Sequence, residues 1–138
     1  MIGIDTNVLV RYIAQDDPAQ SRRATALIER ECSESDPGFV ALVVLAELVW
    51  VAETCYSASR EEQRRIIRRI LETRQLIVQE AETAWQALRA FEQGKADFAD
   101  CLVERTAAAA GCVRTATFDK AAATIGMTLL TSSAKAVP

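Results

Sequence analysis

Short apolar runs alternate with longer stretches of helical periodicity along most of this chain. Runs of three to five apolar residues, bounded by turn-forming residues, are typical of buried strands. The predicted strands cover residues 1–4, 39–43, 76–78, 112–116 and 127–130. Because strands that alternate with helices form a parallel sheet covered on both faces, the pattern predicts an α/β/α sandwich with a five-stranded parallel sheet.

The segments between these strands carry the start and stop signals of helices. Asp17-Pro18 is a cap followed by a proline suited to the first helical turn, and Ser59 with Glu62 forms a capping box. Gly111 is a typical helix stop. The predicted helices cover residues 8–14, 19–32, 45–55, 60–74, 80–92, 95–110 and 120–125, and residues 132–138 form a polar tail. With no linker in 138 residues, we expect a single domain over 1–138.

The composition excludes several kinds of catalytic site. The chain has no histidine, which rules out Ser-His-Asp and Cys-His nucleophiles and Cys-His zinc sites. Catalysis would have to use carboxylates, hydroxyls, thiols or metal-bound water. The net charge of −3 gives no general affinity for nucleic acid, so nucleic-acid binding would need a local basic patch.

The cysteines and the apolar segments indicate a cytoplasmic protein. Four cysteines lie among apolar or helical neighbours and none forms a C-x-x-C pair, so we expect buried, reduced thiols. The N-terminus shows no signal-peptide pattern. The longest apolar run, residues 39–46, is far shorter than the roughly 20 residues that span a bilayer, so we expect no membrane association.

Carboxylates follow the predicted strands at places where the ends of parallel strands meet. Asp5 and Asp119 come directly after strands, and Glu47 lies in the first turns of the helix after the second strand. Asp97 and Asp100 share one face at the start of another helix. Because open α/β sheets gather ligands at the carboxyl ends of their strands, we expect these acids to meet at one edge.

Each acid also has a structural interpretation. Asp5, Asp97 and Asp119 could simply cap the helices that follow them, whereas the apolar neighbours of Glu47 and Asp100 make a surface role harder to explain. Carboxylates packed together repel one another unless a cation binds. Oxygen ligands select Mg²⁺, with Mn²⁺ as a substitute, and either ion can activate water and stabilise a leaving oxygen at a phosphodiester.

Four motifs resemble those of PIN-domain ribonucleases, and specifically the VapC-type toxins of bacterial or archaeal toxin–antitoxin pairs. They are Ile4-Asp5-Thr6-Asn7-Val8-Leu9, Leu45-Ala46-Glu47-Leu48, Asp97-Phe98-Ala99-Asp100-Cys101-Leu102 and Thr117-Phe118-Asp119-Lys120. Their order and spacing match across nearly the whole chain. One such motif would be weak evidence, but four in sequence are specific.

The resemblance implies a Mg²⁺-dependent endoribonuclease whose acidic site contains Asp5, Glu47, Asp100 and Asp119. Of these, Asp5, Asp100 and Asp119 would hold the metal. The auxiliary residues would be Asn7 and Thr117, which orient the carboxylates, and Asp97. The resemblance also implies a homodimer inhibited by an antitoxin protein whose C-terminal peptide occupies a groove.

Arginines and apolar residues suggest where RNA and partners bind. Six arginines crowd residues 60–74, where a solvated face stabilised by ion pairs such as Glu61 to Arg65 is favoured over phosphate contact. Arg11, Arg22 and Arg23 are equal candidates for RNA contact. We expect both tryptophans, Trp50 and Trp85, in the core or an interface. The apolar set expected at a dimer or antitoxin surface is Leu9, Val10, Ile13, Leu48 and Val49.

Three other functions remain open from the residues alone. A PIN-like nuclease could act on DNA or in RNA processing with the same acids. A phospho-acceptor receiver domain also places acids at strand ends, but it needs an acid pair after its first strand, where Asp5 stands alone. A catalytically silent domain that binds RNA or protein would leave Glu47 and Asp100 unexplained.

Overall fold

The chain forms helices joined by short parallel strands. A computed structural model describes residues 1–131. These residues divide into two compact units, one over Met1–Ala81 and a second that begins at Glu82. The predicted polar tail, residues 132–138, lies outside the described residues.

The first unit contains three strands and four helices. Strands β1, β2 and β3 form a parallel sheet in that order, with Ile2 opposite Gly38 and Phe39 opposite Ile77. A side chain at Gly38 would meet Ile4 Cγ1 at 2.8 Å, so glycine allows the strands to pack. The elements are β1 (Ile2–Gly3), α1 (Thr6–Ala14), α2 (Pro18–Ala26) with a π-helical turn (Leu27–Glu31), β2 (Gly38–Val40), α3 (Leu42–Tyr56), α4 (Arg60–Glu72) and β3 (Leu76–Val78).

The core of the first unit lies where α1 packs against α2 and α3, and α3 against α4. Its most buried side chains are Leu9, Ile28, Val40, Leu45, Leu48, Ile67 and Ile70. Burying large aliphatic side chains contributes roughly 1.5–3 kcal/mol each, which makes this apolar packing the main stabilising term.

The second unit contains three helices and two strands. Strand β4 pairs in parallel with β5, with Ala116 opposite Thr128. The rings of Phe91 and Phe98 meet edge to face at a centroid distance of 6.0 Å and join the helices that carry them. The elements are α5 (Ala81–Gln93, which starts on the last residue of the first unit), α6 (Phe98–Ala109), β4 (Ala116–Thr117), α7 (Lys120–Ala123) and β5 (Thr128–Leu129).

The α/β class and the parallel pairing are confirmed, but the prediction of five strands in one sheet is wrong for residues 1–131. The strands pair as a sheet of three and a sheet of two. The fourth strand is much shorter than residues 112–116. Gly111 adopts φ +95° and the Cys112 N–H donates to Ala107 O at 3.0 Å. The C-terminal cap of α6 therefore includes Cys112, a residue that the apolar pattern assigns to the strand.

Helix α3 begins three residues earlier than predicted. The apolar run 39–43 is strand only to Val40, and the helix starts at Leu42. No side chain next to the helix caps it. Instead the Leu42 N–H donates to Gln79 Oε1 at 3.0 Å, a contact across 37 residues that a local pattern cannot reveal.

The predicted helix signals are confirmed where they are local. Asp17 accepts from the Gln20 N–H with Pro18 in the first turn, and Ser59 with Glu62 forms the capping box. Arg65 lies 3.6 Å from Glu61, which is the ion pair expected on the arginine-rich helix.

Several burial predictions need correction. Cys32 and Cys101 are buried, but Cys55 and Cys112 are exposed. Trp50 is 63% exposed, so it is not a core residue. Leu9, Leu48 and Val49 are buried in the first unit, because its helices pack on both sides of α1 and α3, although Leu48 still reaches the wall of an apolar groove. None of the helices within residues 1–131 has the length and apolar character needed to cross a bilayer.

Candidate active site

The first unit holds two of the predicted site acids, Asp5 and Glu47, which we call the first acidic cluster. Asp5 follows β1 and caps α1, with its Oδ1 accepting from the Thr6 N–H at 2.8 Å. The Thr6 hydroxyl donates to Glu47 Oε1 at 3.1 Å. Both carboxylates are exposed. A single threonine therefore contacts one acid through its backbone and the other through its side chain.

Thr6 is the residue that the sequence reasoning missed. The signal was its place between Asp5 and Asn7, where a hydroxyl can reach a neighbouring carboxylate. Asn7, predicted to orient the carboxylates, makes no side-chain hydrogen bond within residues 1–131, and its role stays a prediction. The apolar neighbours of Glu47 suggested a buried acid, but α3 turns Glu47 outward while Leu45 and Leu48 face the core.

The second unit brings together the other three acids, Asp97, Asp100 and Asp119, which we call the second acidic cluster. Asp97 caps α6, with its Oδ1 accepting from the Asp100 N–H at 2.8 Å. Asp119 caps α7, with its Oδ1 accepting from the Ala121 N–H at 2.8 Å. Asp100 lies in the first turn of α6 and is partly buried.

Thr117 orients Asp119 through the backbone. Its hydroxyl accepts from the Asp119 N–H at 3.0 Å, a short turn that fixes how the chain leaves β4. The sequence prediction placed Thr117 beside the carboxylate itself. The contact is instead with the backbone N–H of Asp119. Thr117 therefore fixes the backbone conformation at Asp119 rather than its carboxylate.

Asp100 is the electrostatic centre of the second acidic cluster. Partial burial, followed by the negative charges of Asp97 and Asp119, raises the pKa of the Asp100 carboxyl above its usual range. Burial disfavours the ionised form, and like charges disfavour it further. Asp97 and Asp119 are thus close enough to oppose the ionisation of Asp100. A bound cation would favour the ionised carboxylate instead.

The donor chemistry of these acids fits a hard divalent cation. Asp5 and Asp119 each use Oδ1 to cap a helix, and the Oδ2 of each accepts no hydrogen bond within residues 1–131. Carboxylate oxygens are the ligands that Mg²⁺ and Mn²⁺ prefer. In the described part of the chain, however, no group of three or more acids or cysteines is already arranged to hold a metal.

Comparison with known proteins places the chain in a family. The family described as PIN domain matches residues 2–126, which span both compact units, so the chain belongs to the PIN domain family. PIN domains are generally metal-dependent nucleases, that is, hydrolases. No curated protein matches the chain.

Replacing Asp100 with asparagine should stabilise the metal-free protein. Because the folded state raises the pKa of Asp100, ionisation destabilises the fold as pH rises above about 4, the value of an unperturbed aspartate. Asp100→Asn removes that term, and after allowance for solvent screening we expect a gain of about 1–3 °C in Tm at pH 7. The gain should shrink toward pH 4. Circular dichroism melts in EDTA measure it.

The matched control for this measurement is Glu53→Gln, which removes an exposed acid outside both clusters and should leave the Tm unchanged. A gain in Tm that falls as pH rises, or a lower Tm at every pH, would show that ionised Asp100 does not destabilise the fold.

Proposed function

We propose that this member of the PIN domain family is a Mg²⁺-dependent endoribonuclease that acts as the cytoplasmic toxin of a toxin–antitoxin pair. One observation carries the nuclease part of the proposal. Asp97 and Asp119 crowd Asp100 in a chain whose family generally consists of metal-dependent nucleases. Crowded carboxylates oppose folding unless a cation neutralises them. Their presence together in this chain therefore supports metal binding.

The proposal assigns the acids of both clusters to one reaction. Asp5, Asp100 and Asp119 would hold Mg²⁺ or Mn²⁺ through the oxygens that are not used for capping. The family match supports these assignments, because residues 2–126 include all three acids. When bound, the cation would neutralise the phosphate and make a nearby water more acidic.

Glu47 is assigned the proton-transfer role. The chain contains no histidine, so carboxylates are its best candidates for accepting a proton near neutral pH. Glu47 is exposed, and the Thr6 hydroxyl holds its Oε1 at 3.1 Å. This hydrogen bond restricts the rotamers of a flexible side chain, which keeps the other oxygen available for an attacking water.

Cleavage of RNA should require both the metal and Glu47. The purified chain is incubated with a mixed RNA pool and a matched single-stranded DNA pool, with Mg²⁺ or with EDTA. We expect RNA fragments with Mg²⁺ only, and at least about a hundredfold slower cleavage by Glu47→Gln, the scale of a lost general base. Glu53→Gln is the matched control, because Glu53 is another exposed acid of α3, and this variant should cleave normally.

Each other outcome of this assay has a definite meaning. Cleavage of DNA in preference to RNA would move the assignment to a DNA nuclease. Cleavage that persists in EDTA would contradict a metal-dependent reaction. A folded protein that cuts neither polymer with any divalent ion would favour a silent RNA- or protein-binding domain.

The proposal includes an antitoxin protein that docks on the first unit. Val10 and Ile13 of α1, with Tyr56 and Ile66, line an apolar groove of about 120 Å³. A groove of this kind suits apolar side chains of a partner peptide. A short reading frame beside the gene should encode a protein that co-purifies with this chain, and Ile13→Glu should abolish the complex. An intact complex in that variant would place the antitoxin elsewhere.

The proposal also includes a homodimer. Val43 and Trp50 are 65% and 63% exposed on α3, and large exposed apolar side chains of this kind are enriched at interfaces. Sedimentation should show a dimer that Trp50→Ala weakens, whereas an unchanged dimer constant would remove Trp50 from the interface.

A further inference from the structure

A cleft of about 670 Å³ lies between α1 and α2 in the first unit. Its lining includes Asn7, Arg11, Gln20, Arg23, Leu27 and Glu31. Asn7 lies in the first turn of α1, the helix that Asp5 caps, so the cleft begins at the same end of that helix. Arg11 and Arg23 are two of the three arginines that the sequence makes candidates for RNA contact, and both line this cleft.

The hydrogen-bond donors of the lining favour an anion. The lining contains Arg11, Arg23 and Glu31, and Arg11 is also paired with Asp16 at 3.1 Å. Arg23 is exposed and forms no ion pair within residues 1–131. The amides of Asn7 and Gln20 add neutral hydrogen-bonding groups. Guanidinium and amide donors together are the groups that proteins use to contact phosphate oxygens.

Arg11 is held in place before any ligand binds. Its Nε donates to Gln20 Oε1 at 2.7 Å and its Nη1 donates to Asp16 Oδ1 at 3.1 Å. Its Nη2 makes no hydrogen bond within the described residues. A fixed guanidinium with a donor to spare loses little rotamer entropy when it binds an anion.

The walls of the cleft are fixed by the connection between the helices. Gln15 adopts the left-handed conformation, with φ 54°, and ends α1. Its Nε2 donates to Tyr12 O at 2.8 Å and to Thr25 Oγ1 at 3.2 Å, which ties α1 to α2. Leu27 and Glu31, the first and last residues of the π-helical turn, both line the cleft. Turns of this kind are frequent at functional sites.

We propose that this cleft binds the phosphate backbone of single-stranded RNA as the strand approaches Asp5, with Arg23 as the principal cationic contact. The inference rests on the proposed function for the identity of the polymer. Asn7 and Arg11 lie one helical turn apart, about 6 Å along α1, so a bound strand would follow the helix toward the first acidic cluster. The guanidinium and amide donors fit phosphate oxygens better than they fit an apolar peptide.

The test measures RNA binding rather than cleavage. A fluorescently labelled 12-nucleotide single-stranded RNA is titrated with the full chain in EDTA between 50 and 200 mM salt, with anisotropy as the signal. Arg23→Gln should raise Kd about fivefold at low salt, the effect of losing one partly exposed charge-assisted contact. The slope of log Kd against log salt should fall in magnitude by about 0.7, which corresponds to one phosphate.

Arg22→Gln is the matched control. The sequence makes Arg22 as good a candidate for RNA contact as Arg23, but Arg22 is exposed on the same helix without lining the cleft, so the inference removes it from the RNA path. We expect its Kd to stay within about twofold of the wild-type value, since an isolated surface charge contributes little. If the wild-type chain cleaves RNA, Arg23→Gln should raise KM and leave kcat unchanged, as expected when only ground-state binding is lost.

Three results of the RNA titration would overturn the inference. Equal weakening by Arg22→Gln and Arg23→Gln would indicate a diffuse electrostatic surface, and no effect of Arg23→Gln would remove the cleft from the RNA path. No binding of RNA by the wild-type chain would leave the cleft to another anion, such as an acidic peptide. In the cleavage assay, an unchanged KM for Arg23→Gln refutes this inference alone, whereas cleft-dependent binding without cleavage under any divalent ion refutes the proposed function alone.

Discussion

Helix capping fixes the positions of the acids on which the rest of this protein depends. In each cap, a backbone N–H in the first turn of a helix donates a hydrogen bond to an aspartate. Asp5, Asp97 and Asp119 each use one carboxylate oxygen in this way, at 2.8 Å. The helix N-terminus favours negative charge, which offsets part of the cost of gathering acids. Capping and metal binding are therefore compatible, because the cap occupies one oxygen and holds the other in a defined place.

Local chemistry explains how much of this could be predicted from the sequence. The caps at Asp5, Asp17, Ser59, Asp97 and Asp119 depend on residues a few positions apart, and all of them form as expected. The errors lie where distant residues decide. Gln79 starts α3 from 37 residues away, and the close of α6 shortens the fourth strand.

The acidic clusters show the same division. Their members could be identified from their positions after strands and at helix starts, but their environments could not. The exposure of Glu47 depends on how α3 rotates as it packs, and its contact with Thr6 spans 41 residues. The raised pKa of Asp100 arises first from burial and then from the charges of Asp97 and of Asp119, which is 19 residues away. Side-chain pairs of this kind depend on the tertiary fold.

The proposed metal site requires Asp5, Asp100 and Asp119 to bind one divalent cation, and a direct count of bound Mn²⁺ tests this proposal. Electron paramagnetic resonance of free Mn²⁺, titrated with the full chain, gives the affinity for wild type, Asp5→Asn, Asp100→Asn and the double variant. We predict that each single change weakens binding by at least about tenfold, and that the double variant is little weaker than either, as expected for ligands of one ion. Unchanged Mn²⁺ affinity in Asp5→Asn, with loss only in Asp100→Asn, would contradict a shared site.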